Sequence, residues 1–394
     1  MSSAKYAQVA IFRPIEKTFE YSIPDQLKGK VRAGSICSLP FRGETERGVV
    51  LEVSDEPVYE GERSEIRKTL SEKPLEPALI KLARWLSRTT MTPIGQVFNR
   101  MVPTDLSVTP RTVDEVELNS TFGEVRRFIE QNRRKAPRQV ELLEYLLTSD
   151  VSVEKTELLE EVGSSRSPLS SLIDKGFVKV TSVPDLDIGY PDISNRAPIA
   201  GRDLETLDSV DFLSESTETV STAGSGEVRF ATYLEVIRKL EINGKLLVLT
   251  PDVNRAEELA AIIRDETNLI SLTYHSSLTP GEISSRWSLS RSDRADVFVG
   301  VLSAVYLPVE DLAGIVVEGD GHRNFELTDQ DPRGDLGEIA SKRAELEGVP
   351  LIKGGPAPSV RSYYELDRGR YRKLGGNFPD GLGESVSVSL VERG

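Results

Sequence analysis

Cysteine and histidine are nearly absent from this sequence. The 394-residue chain holds one cysteine, Cys37, and two histidines, His275 and His322. A single thiol forms no intramolecular disulfide. A tetrahedral zinc site built from Cys and His needs four ligands, so a zinc finger is excluded. Aromatic residues make up only 6%. No apolar run approaches the roughly 20 residues that span a bilayer. The opening MSSAKYAQVAIF lacks the basic segment and apolar stretch of a signal peptide. A cytoplasmic chain with no membrane partner is expected, and at roughly 150 residues per domain it divides into about two or three domains.

Acid is what the sequence has in excess. Asp and Glu number 63 against 49 Lys and Arg, for a net charge of −14. The first 182 residues are electrically balanced, so residues 183–394 carry the whole excess. Phosphate backbones are repelled by such a surface. If the chain binds nucleic acid, its N-terminal half is the better candidate; otherwise the acid serves solubility alone.

Hydrophobic patterning divides the chain. Residues 1–110 open with short β-like runs, Tyr6–Phe12, Thr18–Ile23, Ser35–Phe41 and Gly48–Val53, punctuated by Pro14, Pro24, Gly34 and Gly43. Leu79, Leu82, Ala83 and Leu86 then recur at helical spacing. This predicts a β-rich domain with a helical arm. Residues 111–183 carry apolar stripes on Val140–Leu147, Leu158–Val162 and Leu169–Ile173, followed by a β-like Phe177–Val180. Three short helices followed by a β-hairpin is the winged-helix plan, whose third helix faces the major groove. That face offers Arg166, Ser170 and Lys175. A basic run, Arg126, Arg127, Arg133, Arg134, Lys135 and Arg138, suits phosphate contacts. The same pattern equally describes a three-helix protein-interaction module with a solvated basic face.

Residues 184–221, rich in Asp, Ser and Pro, read as a linker. From 222 to 394 short apolar runs alternate with helical segments. Leu246–Leu249, Leu269–Leu272, Asp296–Val301, Gly314–Val317 and Pro350–Ile352 have the character of strands buried on both faces. The expected fold is thus multidomain α/β, ending in a doubly wound parallel sheet.

In such sheets ligands sit at the C-terminal strand ends. Gly224-Ser225-Gly226-Glu227-Val228 has the outline of a phosphate-binding loop. A working loop places Lys and Ser/Thr where Glu227 and Val228 stand. A carboxylate about 4 Å from a phosphate costs about 4 kcal/mol at an effective dielectric near 20. No useful ATP or magnesium binding is expected by this route, and no other cofactor or metal. Asp320 and His322, in Gly319-Asp320-Gly321-His322, form a second strand-end candidate, though one Asp between two glycines reads more readily as a solvated turn.

The order of these motifs resembles the PriA family of primosomal replication-restart proteins. The resemblance rests on Val9-Ala10-Ile11, Lys17-Thr18-Phe19-Glu20-Tyr21, Leu39-Pro40-Phe41 with Arg47-Gly48-Val49-Val50, and Leu82-Ala83-Arg84-Trp85-Leu86 with Pro93-Ile94-Gly95. Farther on come Ser164-Ser165-Arg166-Ser167, Lys175-Gly176, Gly224-Ser225-Gly226, His275-Ser276-Ser277-Leu278, Val299-Gly300, Ser303-Ala304 and Pro358-Ser359. It implies a 3′-end DNA-binding domain, a winged helix and a first RecA-like helicase lobe. It also implies that Phe19, Glu20, Arg42, Gly43 and Arg67 form a pocket for a nascent-strand 3′ end, with Arg42 where the family has glycine. The energy-handling motifs depart from the family: Glu227-Val228 replace Lys-Thr, and Gly319-Asp320-Gly321-His322 replace Asp-Glu-Glu-His. The second lobe, zinc insertion and C-terminal domain of the family are expected to be absent. The resemblance therefore implies a non-motor version like those of actinobacteria. Its expected partners are forked and single-stranded DNA, single-strand-binding protein and helicase-loading proteins of the primosome. An ATP-driven 3′–5′ helicase and a scaffold with no DNA role are the alternatives.

Overall fold

The computed structural model describes residues 4–104, 106, 112–149, 152–184, 219–223, 226–328 and 331–376. The chain folds as two compact units, one of Met1–Val108 with Ile188–Gly394 and one of Thr109–Asp187.

In the first unit, β1 (Tyr6–Ile11), β2 (Phe19–Ser22), β3 (Ile36–Phe41), β4 (Glu44–Ser54) and β5 (Lys68–Thr69) form a sheet in the order β2-β1-β4-β3-β5. Alternation along each strand sends Ala7, Val9, Ile11, Tyr21, Cys37, Leu39 and Val50 to one core. Ser64–Ile66 bonds to β2 through Ser22 N to Ser64 O and Ile66 N to Ser22 O, both 3.1 Å. The Tyr21 hydroxyl donates to the Pro40 carbonyl on β3 at 2.9 Å. These cross-links curl the sheet into a small barrel. Cys37 lies fully buried, and burial pushes its thiol up to about 12.

Two residues, Arg42 and Gly43, join β3 to β4, with φ of 51° and 86°. Positive φ at both positions makes this a type I′ turn, whose twist matches the strands it joins. Glycine bears that conformation freely. Arg42 bears it at a cost.

The helical arm follows as α1 (Pro77–Thr90) and α2 (Ile94–Met101). Leu79, Leu82, Ala83, Leu86, Val97, Phe98 and Met101 face inward. The barrel holds the arm through Arg47, whose Nη1 donates to the Pro103 carbonyl at 2.6 Å and whose Nη2 donates to Asn99 Oδ1 at 3.3 Å.

The second unit contains β6 (Thr112–Leu118), α3 (Phe122–Asn132), α4 (Pro137–Thr148), β7 (Val153–Glu154), α5 (Lys155–Glu161), α6 (Arg166–Asp174) and β8 (Val178–Pro184). Its sheet is antiparallel, in the order β7-β6-β8, and covers a core of Val116, Val125, Val140, Leu143, Leu158, Leu169 and Leu172. Here the order differs from the expected helices followed by a hairpin. Among the described residues β8 pairs with β6, which precedes every helix, in a ladder running from Thr112↔Pro184 to Leu118↔Val178. A fourth helix, α3, also precedes the expected three.

The α/β lobe completes the first unit. It comprises β9 (Thr219–Ala223), α7 (Gly226–Leu240), β10 (Lys245–Leu249), α8 (Val253–Thr267), β11 (Ser271–Tyr274), α9 (Pro280–Leu289), β12 (Val297–Gly300), β13 (Leu312–Glu318), β14 (Glu326–Leu327), β15 (Gly334–Asp335), α10 (Leu336–Glu347), β16 (Leu351–Gly355), α11 (Val360–Asp367) and β17 (Arg372–Gly376). The main sheet, in the order β11-β12-β10-β13-β16-β9-β17, is parallel throughout. β9 takes in Thr219–Ser221, the end of the segment expected as linker; residues 185–218 lie outside the described residues. β11 starts two residues later than the apolar run suggests, because Asn268 turns left-handed at φ 61° to cap α8 and Leu269-Ile270 serve as the connection.

The barrel domain and the lobe meet along a polar seam. Lys73 Nζ reaches Glu310 Oε2 at 2.5 Å and the Arg291 carbonyl at 2.9 Å, while Arg291 Nη1 donates to the Lys73 carbonyl at 2.7 Å.

Gly95 marks the tightest approach of arm to barrel: a Cβ there would stand 1.8 Å from the Ile11 carbonyl oxygen. Gly95→Ala must push α2 off β1, and a loss of about 3 kcal/mol or more is expected, in the range of severe overpacking. Chemical denaturation of the purified variant checks this; an unchanged midpoint would show that the arm is not clamped there.

Candidate nucleic-acid interface

The barrel rim gathers most of the residues expected at a strand-end pocket. Phe19 opens β2 and points inward, where its ring meets Phe41 edge-on at 5.0 Å. The Arg42 guanidinium lies 5.3 Å from the Phe41 centroid. Arg67 is exposed and donates to the Thr45 hydroxyl beside the turn, while its backbone N–H bonds to the Ser38 carbonyl at 2.9 Å. Arg13, Pro14, Ile15, Phe41, Arg42 and Glu44 line a cavity of about 410 Å³ at the same turn. Exposed guanidinium groups beside aromatic rings suit a terminal nucleotide, whose phosphate and base need a cation and a stacking face.

Glu20 has a different job from the one expected. On a strand, neighbours point to opposite faces, so with Phe19 inward Glu20 points outward. Its carboxylate accepts from Val58 N at 2.7 Å, Tyr59 N at 3.3 Å and Arg63 Nε at 2.5 Å, and it is only 4% exposed. Burial works to raise its pKa, yet these donors outweigh burial and hold it below 4.5. Glu20 thus anchors the loop that follows β4. The Arg63 it holds lies over the rings of Tyr6 and Tyr59, at 5.1 and 5.8 Å.

In the second unit all six members of the basic run are exposed. Arg133 pairs with Glu144 and Arg138 with Glu141, each at 2.7 Å, so part of the positive charge is neutralised locally. On α6, Arg166 and Ser170 are exposed, and the Ser170 hydroxyl bonds back to the Arg166 carbonyl at 3.2 Å. Lys175 caps the helix, donates to Gln139 Oε1 at 2.8 Å and sits 5.1 Å from the Phe128 centroid.

At the lobe's strand ends the structure supplies a centre whose partners the sequence does not announce. Glu318 closes β13 with its side chain only 3% exposed. It accepts from Arg229 Nε at 3.1 Å and Nη2 at 2.7 Å, from the Tyr233 hydroxyl at 2.6 Å, and from Arg255 Nη2 at 3.1 Å. Burial works to raise its pKa, but the bonds from Arg229 and Tyr233 bring it below the usual carboxylate value. Arg229 and Tyr233 lie in the first two turns of α7, the helix that the β9 connection enters. Gly224 and Ser225 lie outside the described residues, as do the side chains of Glu227 and Val228; Gly226 is the first residue of α7.

Asp320 is also committed: its Oδ2 accepts from Ser359 N at 3.0 Å. His322 is exposed, and its Nδ1 accepts from Asn324 N at 3.2 Å. Among the described residues no group of three or more His, Cys, Asp or Glu is arranged to hold a metal, and no helix is long and apolar enough to cross a membrane.

Residues 8–103, the barrel and its arm, match the 3′ DNA-binding domain (3′BD) family of PriA. The longer similarity is to whole PriA chains. Replication restart protein PriA of Chlamydia muridarum is 24% identical over 91% of this chain and 49% of its own length. That of Bacillus subtilis is 23% identical over 91% of this chain and 54% of its own. Over most of its length the chain is thus similar to PriA replication restart proteins. It spans about half the length of these curated relatives. Among solved structures, RecG bound to a three-way DNA junction aligns with 42% of this chain and 21% of its own at 16% identity, with a TM-score of only 0.30.

Glu318 had a signal in the sequence: it is the one charge ending the apolar run Gly314–Val317. The partners Arg229, Tyr233 and Arg255 had none, because their convergence is tertiary.

The Glu20 anchor carries a pH dependence. A carboxylate whose folded pKa lies below its ordinary value stabilises the fold above that value, and the contribution fades as pH falls through the folded pKa. Hydrogen exchange at the Val58 and Tyr59 amides is therefore expected to accelerate, beyond the intrinsic trend, below pH 4.5. Glu20→Gln should show fast exchange at every pH. Equal protection in variant and parent would remove Glu20 as the anchor.

Proposed function

We propose that this protein recognises forked DNA and strand 3′ ends with its barrel domain, and works in replication restart without unwinding DNA by ATP hydrolysis. The observation that carries the reading is the 3′ DNA-binding match over residues 8–103, whose rim exposes Arg42 and Arg67 beside Phe19 and Phe41. The rim supplies cations for phosphate and ring surface for the terminal base. The second unit, with its exposed basic run and α6, adds duplex contacts in the manner of a winged helix.

The Glu318 cluster supports the non-motor part. In strand-loop-helix ATPases a carboxylate at such a strand end holds the magnesium of the nucleotide. Here a buried carboxylate already satisfies Arg229 and Arg255. A triphosphate arriving there meets like charge and finds those cations occupied. On this reading the acidic lobe serves as a mount. It presents the fork to single-strand-binding protein and to the proteins that load the replicative helicase.

Fluorescence anisotropy at near-physiological salt tests this. A fork with a free leading-strand 3′ end should bind at least tenfold more tightly than a blunt duplex or a fork whose 3′ end carries a blocking phosphate, with the same affinities when ATP is added. Arg42→Ala/Arg67→Ala should lose most of that preference, since charge-assisted contacts contribute about 1.5–3 kcal/mol each. DNA-stimulated ATP hydrolysis would instead favour a helicase. Equal binding of all three DNAs would leave a scaffold with no role in reading ends.

A further inference from the structure

The seam between the arm and the lobe is neither packed nor bonded as a permanent junction is. α10 packs against α1, and the turn Leu302–Tyr306 packs against α2. α9 and the residues just after it turn one face to the same arm. Ile283, Trp287 and Arg291 follow one another at four-residue spacing, one above the next. Ile283 lines a cavity with Arg100 and Met101, and Arg291 donates to the Lys73 carbonyl at 2.7 Å. That cavity measures about 390 Å³, where the interior of a fold is close-packed.

The buried donors on the lobe side go unmet. Arg343 is 1% exposed, and its Nη1 donates to the Val305 carbonyl at 2.6 Å. Its Nε stands 3.6 Å from Glu347 Oε1, at ion-pair rather than hydrogen-bond distance, and Nη2 has no hydrogen-bond partner. Arg291 bonds to Lys73 through Nη1 and leaves Nε and Nη2 without partners. The Trp287 indole N–H and the Tyr306 hydroxyl are buried without a partner as well. Glu76, at the start of α1, acts on both guanidinium groups only from a distance. The ion pair of Lys73 with Glu310 lies in the open, its side chains 51% and 37% exposed, where such pairs contribute little.

Each buried, unmet donor raises the free energy of the closed seam, and water would satisfy it. Between α2 and β9 the chain runs through the second unit, so no short link joins arm to lobe. Polar junctions of this kind permit relative motion. We propose that the barrel and its arm part from the lobe along this seam in a reversible opening, in which Arg291, Arg343 and the Trp287 indole take up water. The opening lets the barrel carry whatever its rim holds away from the lobe without unfolding. It is a property of the junction and stands apart from the DNA-binding reading.

The chain has two tryptophans, Trp85 and Trp287, so indole N–H resonances in an NMR spectrum form a two-signal assay, which Trp85→Phe assigns. An indole N–H without a partner exchanges with deuterium once water reaches it, so the Trp287 signal reports the opening. In the full chain its exchange is expected to depend on urea less steeply than exchange of the β1 and β10 amides, which requires the barrel or the lobe itself to unfold. Lys73→Ala should speed Trp287 exchange about fivefold, the size of one lost hydrogen bond. Arg343→Met should slow it, since an apolar chain of similar length leaves no donor to hydrate. A urea dependence equal to that of the β10 amides overturns the proposal without recourse to any variant. Faster exchange in Arg343→Met also overturns it, because Arg343 would then be a prop of the closed seam.

Discussion

A carboxylate taken out of water at the end of a parallel strand must find its counter-charges within the fold, and the lobe is arranged around that requirement. Glu318 alone would be ruinous to bury. Arg229 and Tyr233 from one helix and Arg255 from the next bring it three donor side chains and two positive charges. Removing either side strands the other, because breaking a buried pair costs far more than the pair contributes. α7, α8 and β13 are thereby tied at one point.

The same economy of polar contacts marks the junction between barrel and lobe. Lys73, Arg291 and Glu310 exchange bonds across the seam, and Arg47 ties the arm to the barrel. The barrel domain thus packs against the lobe rather than swinging on a tether. A cavity arises where the arm ends against the strand ends of the sheet, and the only buried histidine among the described residues faces it.

Strands with both faces covered were the most legible part of the sequence, since apolar runs as short as Leu246–Leu249 and Gly314–Val317 suit a buried strand better than a helix. The barrel strands were legible too, because turn residues punctuate them. β6 was not: Thr112–Leu118 carries acid at Asp114, Glu115 and Glu117, and its partner β8 lies some sixty residues away. The residues of the barrel rim were partly legible. Phe19, Arg42 and Arg67 do gather at one rim, whereas Glu20, next to Phe19 in sequence, lies on the opposite face by the two-residue period of its own strand. The Glu318 cluster shows the limit most plainly, since its charge stood out in the sequence and its three partners did not.

Cys37 gives the barrel a clock of its own. The only thiol of the chain sits in β3, fully covered and with a pKa of about 12. A thiol in that state is inert to alkylating reagents while the barrel is closed. Its rate of modification then measures how often the barrel opens. A ligand that binds only the closed barrel slows that clock, with no label attached to the protein.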